Sequence, residues 1–327
     1  MPLPRRSGTW PENNAYDQPA YRAVTSPIRS ARPQISGLPI LAASRWLGDR
    51  VAAIQQFNAG SEAANRARTT GGDWQLAYQL HSSAVMNDDT FGAGWHELGN
   101  DLADMQHSAA ALAAFRRSIE LPDGPNAGDM VPAMRAKSLV QMAYRLYALG
   151  HLGEASVTIG RAIAMDSTSP QAWCVSSLIA LISGRHEAAV QDALRGLNLD
   201  PTNATIETAL GLNLLFAGYF RDGLKHFEAR FRYKLKHFLT FPYPQWQGEE
   251  SKVLYIVADQ GLGDTLSFAR FLRQAASRSK FVYAGVQKEL IRLFKASFQG
   301  EIESRSARPE NDTMLTVRPV RLARIWL

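Results

Sequence analysis

The sequence predicts a mainly α-helical protein, in which a superhelix of paired antiparallel helices is followed by a partial α/β unit. The first observation is a spacing of 34 residues that separates Gly150, Gly184 and Gly218. The second is a small residue five positions after each of these glycines, where two helices would cross. The third is the apolar run Lys252–Ala258, which is typical of a buried parallel strand.

Residues 1–45 are predicted to form a disordered tail rich in proline and arginine. Prolines recur from Pro2 to Pro39 without any apolar periodicity, and this composition opposes both helices and strands. The apolar stretch Leu38–Ala43 is too short to span a membrane and lies too far from the start to be a secretory signal core. We therefore expect a cytoplasmic protein without a membrane span.

Residues 46–235 are predicted to form the helical array. A glycine suits the tight turn between two helices because it tolerates a positive φ, and a small residue suits a close helix crossing. A period of 34 residues with this layout is typical of the tetratricopeptide repeat. We expect about five repeats, the earliest being a degenerate copy with Gly72, Ala77 and Ala84 in phase. The insertion Leu121–Pro132 is expected to be a surface loop between two repeats.

The first helix of each repeat is expected to line the concave side of the superhelix, where a protein or peptide partner would bind. The repeat register places six candidate binding residues there: Asn100, Gln141, Tyr144, Tyr147, Leu178 and Leu212. For the two leucines the alternative is that they only pack against neighbouring helices.

Residues 236–300 are predicted to form a β-α-β-α unit after the extended segment Phe238–Gly248. The predicted strands are Lys252–Ala258 and Lys280–Val286, and the predicted helices are Thr265–Ser277 and Lys288–Phe298. This order is the start of a doubly wound, Rossmann-like sheet. Residues 301–312 are polar and unpatterned, and residues 317–327 resemble nothing that would complete a sheet. The segment 301–327 is therefore expected to be irregular, which leaves the sheet incomplete.

The run from Pro242 to Ala276, PYPQWQGEESKVLYIVADQGLGDTLSFARFLRQAA, resembles the entry to the glycosyltransferase domain that follows tetratricopeptide repeats in many bacterial proteins and is related to the heptosyltransferases. The resemblance implies an active site between two Rossmann-like domains, with Asp264 as the base that activates an acceptor hydroxyl. It also implies substrate contacts from the surrounding turn, at Gln260, Gly261, Gly263 and Thr265. The alternative for Asp264 is a structural cap at the start of a helix.

The donor-binding second domain of such enzymes is missing from this sequence, so we expect a truncated chain that is not catalytically competent alone. A nucleotide sugar would be its donor only if a full-length enzyme exists, and no other cofactor is expected. The seven histidines show no metal-ligand spacing. The single cysteine, Cys174, is expected to be a buried hydrophobe.

Nucleic-acid binding is not expected, because the aromatics in the basic stretch Arg221–Lys236 recur at helical spacing, as on a solvated helix face. Two functions remain. The first is a glycosyltransferase-family protein, truncated and acting through partner binding in the groove of the repeats. The alternative is a scaffold or adaptor whose α/β unit is a structural cap.

Overall fold

The computed structural model describes residues 50–70, 73–125, 128–232, 244–257, 261–298, 303–305 and 314–317. The proline-rich tail predicted for residues 1–45 and Gly72 lie outside these ranges. The helices of the first part are α1 (Arg50–Thr70), α2 (Trp74–Asn87), α3 (Gly92–Asp104), α4 (Ser108–Glu120), α5 (Pro132–Ala148), α6 (Leu152–Met165), α7 (Pro170–Ile182), α8 (His186–Leu199), α9 (Ala204–Phe216) and α10 (Phe220–Phe227), followed by the 3-10 turn Glu228–Arg232.

These helices pack as five consecutive antiparallel pairs, from α1 with α2 to α9 with α10, and each pair also packs against the next. Ala77 and Ala84 of the predicted degenerate repeat are fully buried on α2. The described residues therefore confirm the five-repeat array.

The predicted turn glycines do lie between the two helices of a pair, each with a positive φ: 83° at Gly150, 73° at Gly184 and 84° at Gly218. At the second of these turns, the Gly184 N–H donates to the carbonyl of Leu181 and the Arg185 N–H donates to that of Ala180. The same two bonds occur at the other two glycines. This is the Schellman arrangement, which satisfies carbonyls left open at a helix end.

The turn between α3 and α4 has the same geometry without a glycine. Gln106 occupies the left-handed position with φ 65°, and it is the one described non-glycine residue with a positive φ. The N–H of Gln106 donates to the carbonyl of Ala103, and the N–H of His107 donates to that of Leu102. The fold therefore imposes the turn even where the sequence lacks its glycine signal.

The predicted crossing points are closely packed. Ala111, Ala155 and Ala189 are completely buried. At Gly223 a Cβ would lie within 2.9 Å of Leu215, including its backbone nitrogen, so this crossing has no room for a side chain. Small residues at these positions thus set the distance between the two helices of a repeat.

The insertion after α4 is more than the surface loop that we expected. Met130 is fully buried, and the Gly128 carbonyl accepts a hydrogen bond from Ala93 at the start of α3. Arg50 of α1 pairs with Asp129 of the insertion and also, at 2.6 Å, with Asp88. The loop is held because it covers the open N-terminal end of α3 and adds an apolar side chain to the core.

The second part contains β1 (Ser251–Val257), α11 (Leu262–Phe268), the 3-10 turn Ala269–Phe271, α12 (Leu272–Ala276), β2 (Ser279–Gly285), the 3-10 turn Lys288–Leu290, α13 (Ile291–Ser297), β3 (Glu303–Arg305) and β4 (Met314–Val317). The first predicted helix therefore begins three residues earlier than expected and is interrupted by a 3-10 turn.

The four strands form one parallel sheet in the order β3-β2-β1-β4. Val253 of β1 is opposite Phe281 of β2 on one side and Met314 of β4 on the other. The expectation that residues 301–327 contribute nothing to the sheet is wrong, because β3 and β4 come from this segment. Edge strands of three and four residues are too short to show an alternating or continuous apolar pattern in a sequence.

One face of the sheet is covered by the helices that connect its strands. Leu254 and Ile256 of β1 pack with Leu272 of α12 and Phe294 of α13. Trp246, from the segment before β1, is fully buried in the same cluster, and its indole N–H donates to the carbonyl of Glu249 at 2.6 Å. Residues 238–243 of the predicted linker lie outside the described ranges.

Candidate functional site

The first helices of successive repeats lie along the inner arc of the array. Helices α1, α3, α5, α7 and α9 each contact the next first helix directly, whereas the second helices approach one another less closely. A curved stack brings its inner elements together and spreads its outer ones. We call the surface of these first helices the inner face, and it carries the six predicted groove residues.

The centre of the inner face is an aromatic pair on α5. The rings of Tyr144 and Tyr147 stack with centroids 6.0 Å apart and an angle of 27° between their planes. The guanidinium carbon of Arg145 lies 4.9 Å from the centroid of the Tyr144 ring. Burial raises the pKa of Tyr147, and the neighbouring Tyr144 adds a smaller contribution in the same direction. Both tyrosines are half-buried, so part of each residue is accessible.

Polar side chains border this pair on α3 and α5. The amide of Asn100 lies 3.3 Å from Nε2 of His96 and donates to Glu97 at 3.2 Å, so part of its hydrogen-bonding capacity is already used. Gln141 is half-buried and Lys137 exposed, and neither has a hydrogen-bond or ion-pair partner among the described residues. These two side chains are therefore available to a ligand.

The two leucines of the predicted groove pack against side chains of adjacent repeats. Leu178 packs against Ile206 and Ala209 of the next repeat. Leu212 packs against Leu181 and Ala189 of the preceding one. Both remain half-buried, so they give the C-terminal half of the inner face an apolar character while joining the repeats.

Charged groups of three successive repeats meet beside the tyrosines. Arg68 of α1 lies 3.9 Å from Asp104 of α3. Burial raises the pKa of Asp104, and the positive charges of Arg68 and Arg145 oppose that rise. Asp104 thus lies in the field of one arginine from the preceding repeat and one from the following repeat.

A buried polar chain joins the first two repeats and was missed by the sequence analysis. Nδ1 of His81 lies 2.5 Å from Oδ2 of Asp101, both side chains are fully buried, and Nε2 of His81 lies 3.5 Å from Oγ of Ser61. Burial raises the pKa of Asp101, and its hydrogen bond to His81 opposes this rise. The signal was available, because His81 lies 34 residues before Phe115 and so occupies an apolar position of the repeat.

The hydrogen-bonded side chains of Ser61, His81 and Asp101 have the order of a catalytic triad, but they do not form a catalytic site. Ser61 lies in the interior of α1, where the backbone N–H groups are used by the helix, so the oxyanion of an acyl-transfer intermediate would find no donors there. Gly60 is packed so tightly that a Cβ would come within 2.6 Å of the His81 ring. These three side chains form a packed polar contact between the first two repeats.

The turn after β1 holds the second set of predicted residues. Gly261 precedes α11, and Oδ2 of Asp264 accepts a hydrogen bond from the Gly261 N–H at 3.2 Å. Asp264 is exposed, as is Gly263, whose Cβ position is open. Gln260 lies outside the described residues. The observed contact makes Asp264 a cap from the third helical residue back to the start of the helix, while one side of its carboxylate stays open.

Thr265 differs from its neighbours because it is 6% exposed. Its hydroxyl lies 3.2 Å from the carbonyl oxygen of Gly261 and 3.0 Å from Oε1 of Gln287, which follows β2. A hydroxyl has one proton, so it donates to only one of these acceptors at a time. Thr265 therefore joins the two loops at the carboxyl ends of β1 and β2.

The remaining predicted features can be placed in the same way. Cys174 is buried, and burial raises its pKa to about 11. In the basic stretch Arg221–Lys236, Arg230 is buried with its guanidinium 4.4 Å from the Phe227 centroid and 3.9 Å from that of Phe231. These aromatics therefore hold an arginine of the same chain.

Within the described ranges, His, Cys, Asp and Glu side chains do not gather in threes or more in a way that would hold a metal ion. Of the helices in those ranges, none is long and apolar enough to cross a membrane.

No protein-family model matches the chain. Among curated proteins, it is similar to Protein FlbA of Caulobacter vibrioides, with 24% identity over an alignment of 294 residues. The match covers 69% of this chain and 49% of FlbA. The chain therefore spans about half the length of this curated relative.

Two solved structures illustrate the likeness in shape. MamA from Desulfovibrio magneticus RS-1 is 15% identical with a TM-score of 0.44, covering 58% of this chain and 100% of the other. PilF from Pseudomonas aeruginosa is 14% identical with a TM-score of 0.45, covering 56% and 76%. The assignment of the helical part to the tetratricopeptide-repeat fold depends on the 34-residue spacing and the turn geometry of this chain itself.

Proposed function

We propose that the protein is a scaffold that binds an extended peptide segment of a partner protein along the inner face of its repeats. The observation that carries the proposal is the stacked pair Tyr144 and Tyr147 beside Lys137 and Gln141, two polar side chains without a partner among the described residues. Aromatic edges and free amide or ammonium groups are what an extended backbone needs for packing and hydrogen bonds.

Asn100, Leu178 and Leu212 extend this surface to the neighbouring repeats. Asn100 and Gln141 supply amides in the N-terminal half of the inner face, and the leucines supply apolar side chains in its C-terminal half. A segment bound along the repeats would hydrogen-bond to the amides and place apolar side chains against the leucines.

The test is selection of a phage-displayed library of random dodecapeptides on the full chain, followed by fluorescence anisotropy with the selected peptides. We expect the Tyr144→Ala, Tyr147→Ala double variant to weaken binding about tenfold or more, since buried aromatic contacts dominate such interfaces. Val157→Ala, at an exposed site on α6, is the matched control and should bind as the wild type does. Failure of the wild type to enrich any peptide would refute the proposal.

A second candidate is sugar transfer at the carboxyl end of β1, as the resemblance to glycosyltransferases implies. The observation that favours it is the parallel order β3-β2-β1-β4, which matches the first four strands of a doubly wound sheet. Sheets of that kind bind ligands at the carboxyl ends of their strands. Gly261, Gly263 and the exposed Asp264 lie there, with Asp264 as the candidate base. Gln260 and Thr265 complete the proposed substrate contacts. The buried hydroxyl of Thr265 already contacts Gly261 and Gln287.

We expect the chain alone not to transfer sugar, because catalysis of this type also requires a site that stabilises the donor phosphates. Incubation with a panel of nucleotide sugars, with release of nucleotide as the readout, tests this directly. Turnover by the wild type that disappears in Asp264→Asn would establish the enzyme. Peptide binding should be the same in Asp264→Asn and the wild type, since the two sites are on different parts of the fold.

A further inference from the structure

Arg145 of α5 is fixed by an aromatic ring instead of a carboxylate. Its guanidinium carbon lies 4.9 Å from the centre of the Tyr144 ring, which in turn stacks on Tyr147. A cation held over an aromatic face loses little mobility when it later binds an anion. The stack therefore positions a guanidinium on the inner face before any ligand arrives.

The hydrogen-bonding capacity of this guanidinium is unused. Nε of Arg145 is buried without an acceptor, and no carboxylate among the described residues lies within ion-pair distance of its terminal nitrogens. Buried donors in folded proteins nearly always have a partner, because leaving one unsatisfied costs about 1–3 kcal/mol. An acceptor supplied by a ligand would bind the terminal nitrogens of this half-buried side chain, because Nε itself has no accessible surface.

The surrounding charges favour an anion. Arg68 of α1 and Lys137 of α5 are the other cations of this region, and its carboxylates are Glu97, Asp101 and Asp104. Each carboxylate already has a partner: Asp104 is 3.9 Å from Arg68, Glu97 accepts a hydrogen bond from Asn100, and Asp101 is bonded to His81. Arg145 and Lys137 are therefore the two cations of this group that lack a carboxylate partner among the described residues.

We propose that an acidic side chain of the bound partner segment docks against Arg145, beside the stacked rings of Tyr144 and Tyr147. This inference rests on the proposed function and adds the chemistry of the partner: an extended peptide with an Asp or Glu where it passes α5. Arginine and carboxylate form two parallel hydrogen bonds, so the site fixes the register of the segment as well as adding affinity.

Two variants with opposite expected effects test the inference. Arg145→Gln removes the cation and should weaken binding of a selected acidic peptide about tenfold, as expected for loss of a charge-assisted pair. The wild-type protein should bind the Glu→Gln analogue of that peptide about as weakly. Asp104→Asn removes the competing carboxylate and should strengthen binding of the acidic peptide severalfold, which damage to the fold would not do. Thermal melting of both variants accompanies the anisotropy measurements.

The library selection separates the possible failures. If the wild type selects peptides that share an acidic residue and Arg145→Gln selects without that preference, the inference holds. If peptides are selected but carry no shared Asp or Glu, or if their Glu→Gln analogues bind equally well, the inference is overturned and the proposed function stands. If the wild type selects nothing, both are overturned.

Discussion

Replacing Gln106 by glycine should stabilise the protein, although glycine usually weakens a fold. Gln106 holds a φ of 65° in a turn whose equivalents are Gly150, Gly184 and Gly218. Its side chain is exposed and has no hydrogen bond to the described residues, so its removal breaks no contact. The backbone bonds of the turn do not involve the side chain and are retained.

The magnitude follows from two opposing terms. A left-handed conformation costs an L-residue about 1–2 kcal/mol relative to a right-handed one, and glycine avoids this cost. Glycine in turn gains freedom in the unfolded chain, which costs about 0.5–1 kcal/mol on folding. The difference predicts that Gln106→Gly raises the free energy of unfolding by about 0.5–1 kcal/mol.

Chemical denaturation followed by circular dichroism measures this change as a shift in the midpoint. Gly184→Ala is the matched control, because its φ is 73° and nothing lies within 4 Å of the added Cβ, so strain alone should lower the unfolding free energy. Its expected loss is also about 0.5–1 kcal/mol by the same terms. A decrease for Gln106→Gly, or no change for Gly184→Ala, would refute the reasoning.

Three further predictions concern packing, pH and reactivity. Ala189→Trp should destabilise the array by about 2–4 kcal/mol, because Ala189 is fully buried at a helix crossing; thermal melting equal to the wild type would contradict this. Burial lowers the pKa of His96 below 6.5. As pH falls, the imidazole is therefore protonated in the unfolded chain before it is protonated in the folded protein, and the free energy of unfolding decreases from about pH 6.5 downwards. Denaturation midpoints of His96→Gln should then depend less on pH between neutrality and about pH 5. Cys174 should react with a thiol reagent only on unfolding, since burial raises its pKa to about 11; fast reaction of the native protein would show that it is accessible.

The sequence was sufficient for the array because each repeat restates the same physical requirement. A turn glycine, a small residue at the crossing and a fixed period are local features, and the structure confirms all three. Gln106 was missed because its turn is imposed by the packing of α3 on α4. The insertion was expected to lie on the surface, but Met130 is buried by a contact with α3 that no local pattern encodes.

The repeat register predicted the helices on which the candidate groove residues lie, but not the contacts of their side chains. The register placed Tyr144 and Tyr147 on the inner face, whereas the unpaired state of Arg145 depends on which side chains of neighbouring repeats come near. Strands β3 and β4 were missed because they gain stability from pairing with distant segments. Binding by the predicted groove residues, catalysis by Asp264 and the cytoplasmic location stay predictions, which the described geometry leaves untested.

The pairing of β1 with both β2 and β4 sets an order of events during synthesis of the chain. Each helix pair of the array forms from residues close in sequence and can close while the ribosome is still translating the next repeat. Val253, by contrast, lies opposite Met314 and cannot complete its sheet until that late segment has left the exit tunnel. Leu224 of α10 packs with Phe268 and Phe271, so the completed array offers the later α/β segment an apolar surface to pack against. The repeats thus fold first and provide a preformed packing surface for the sheet that follows them.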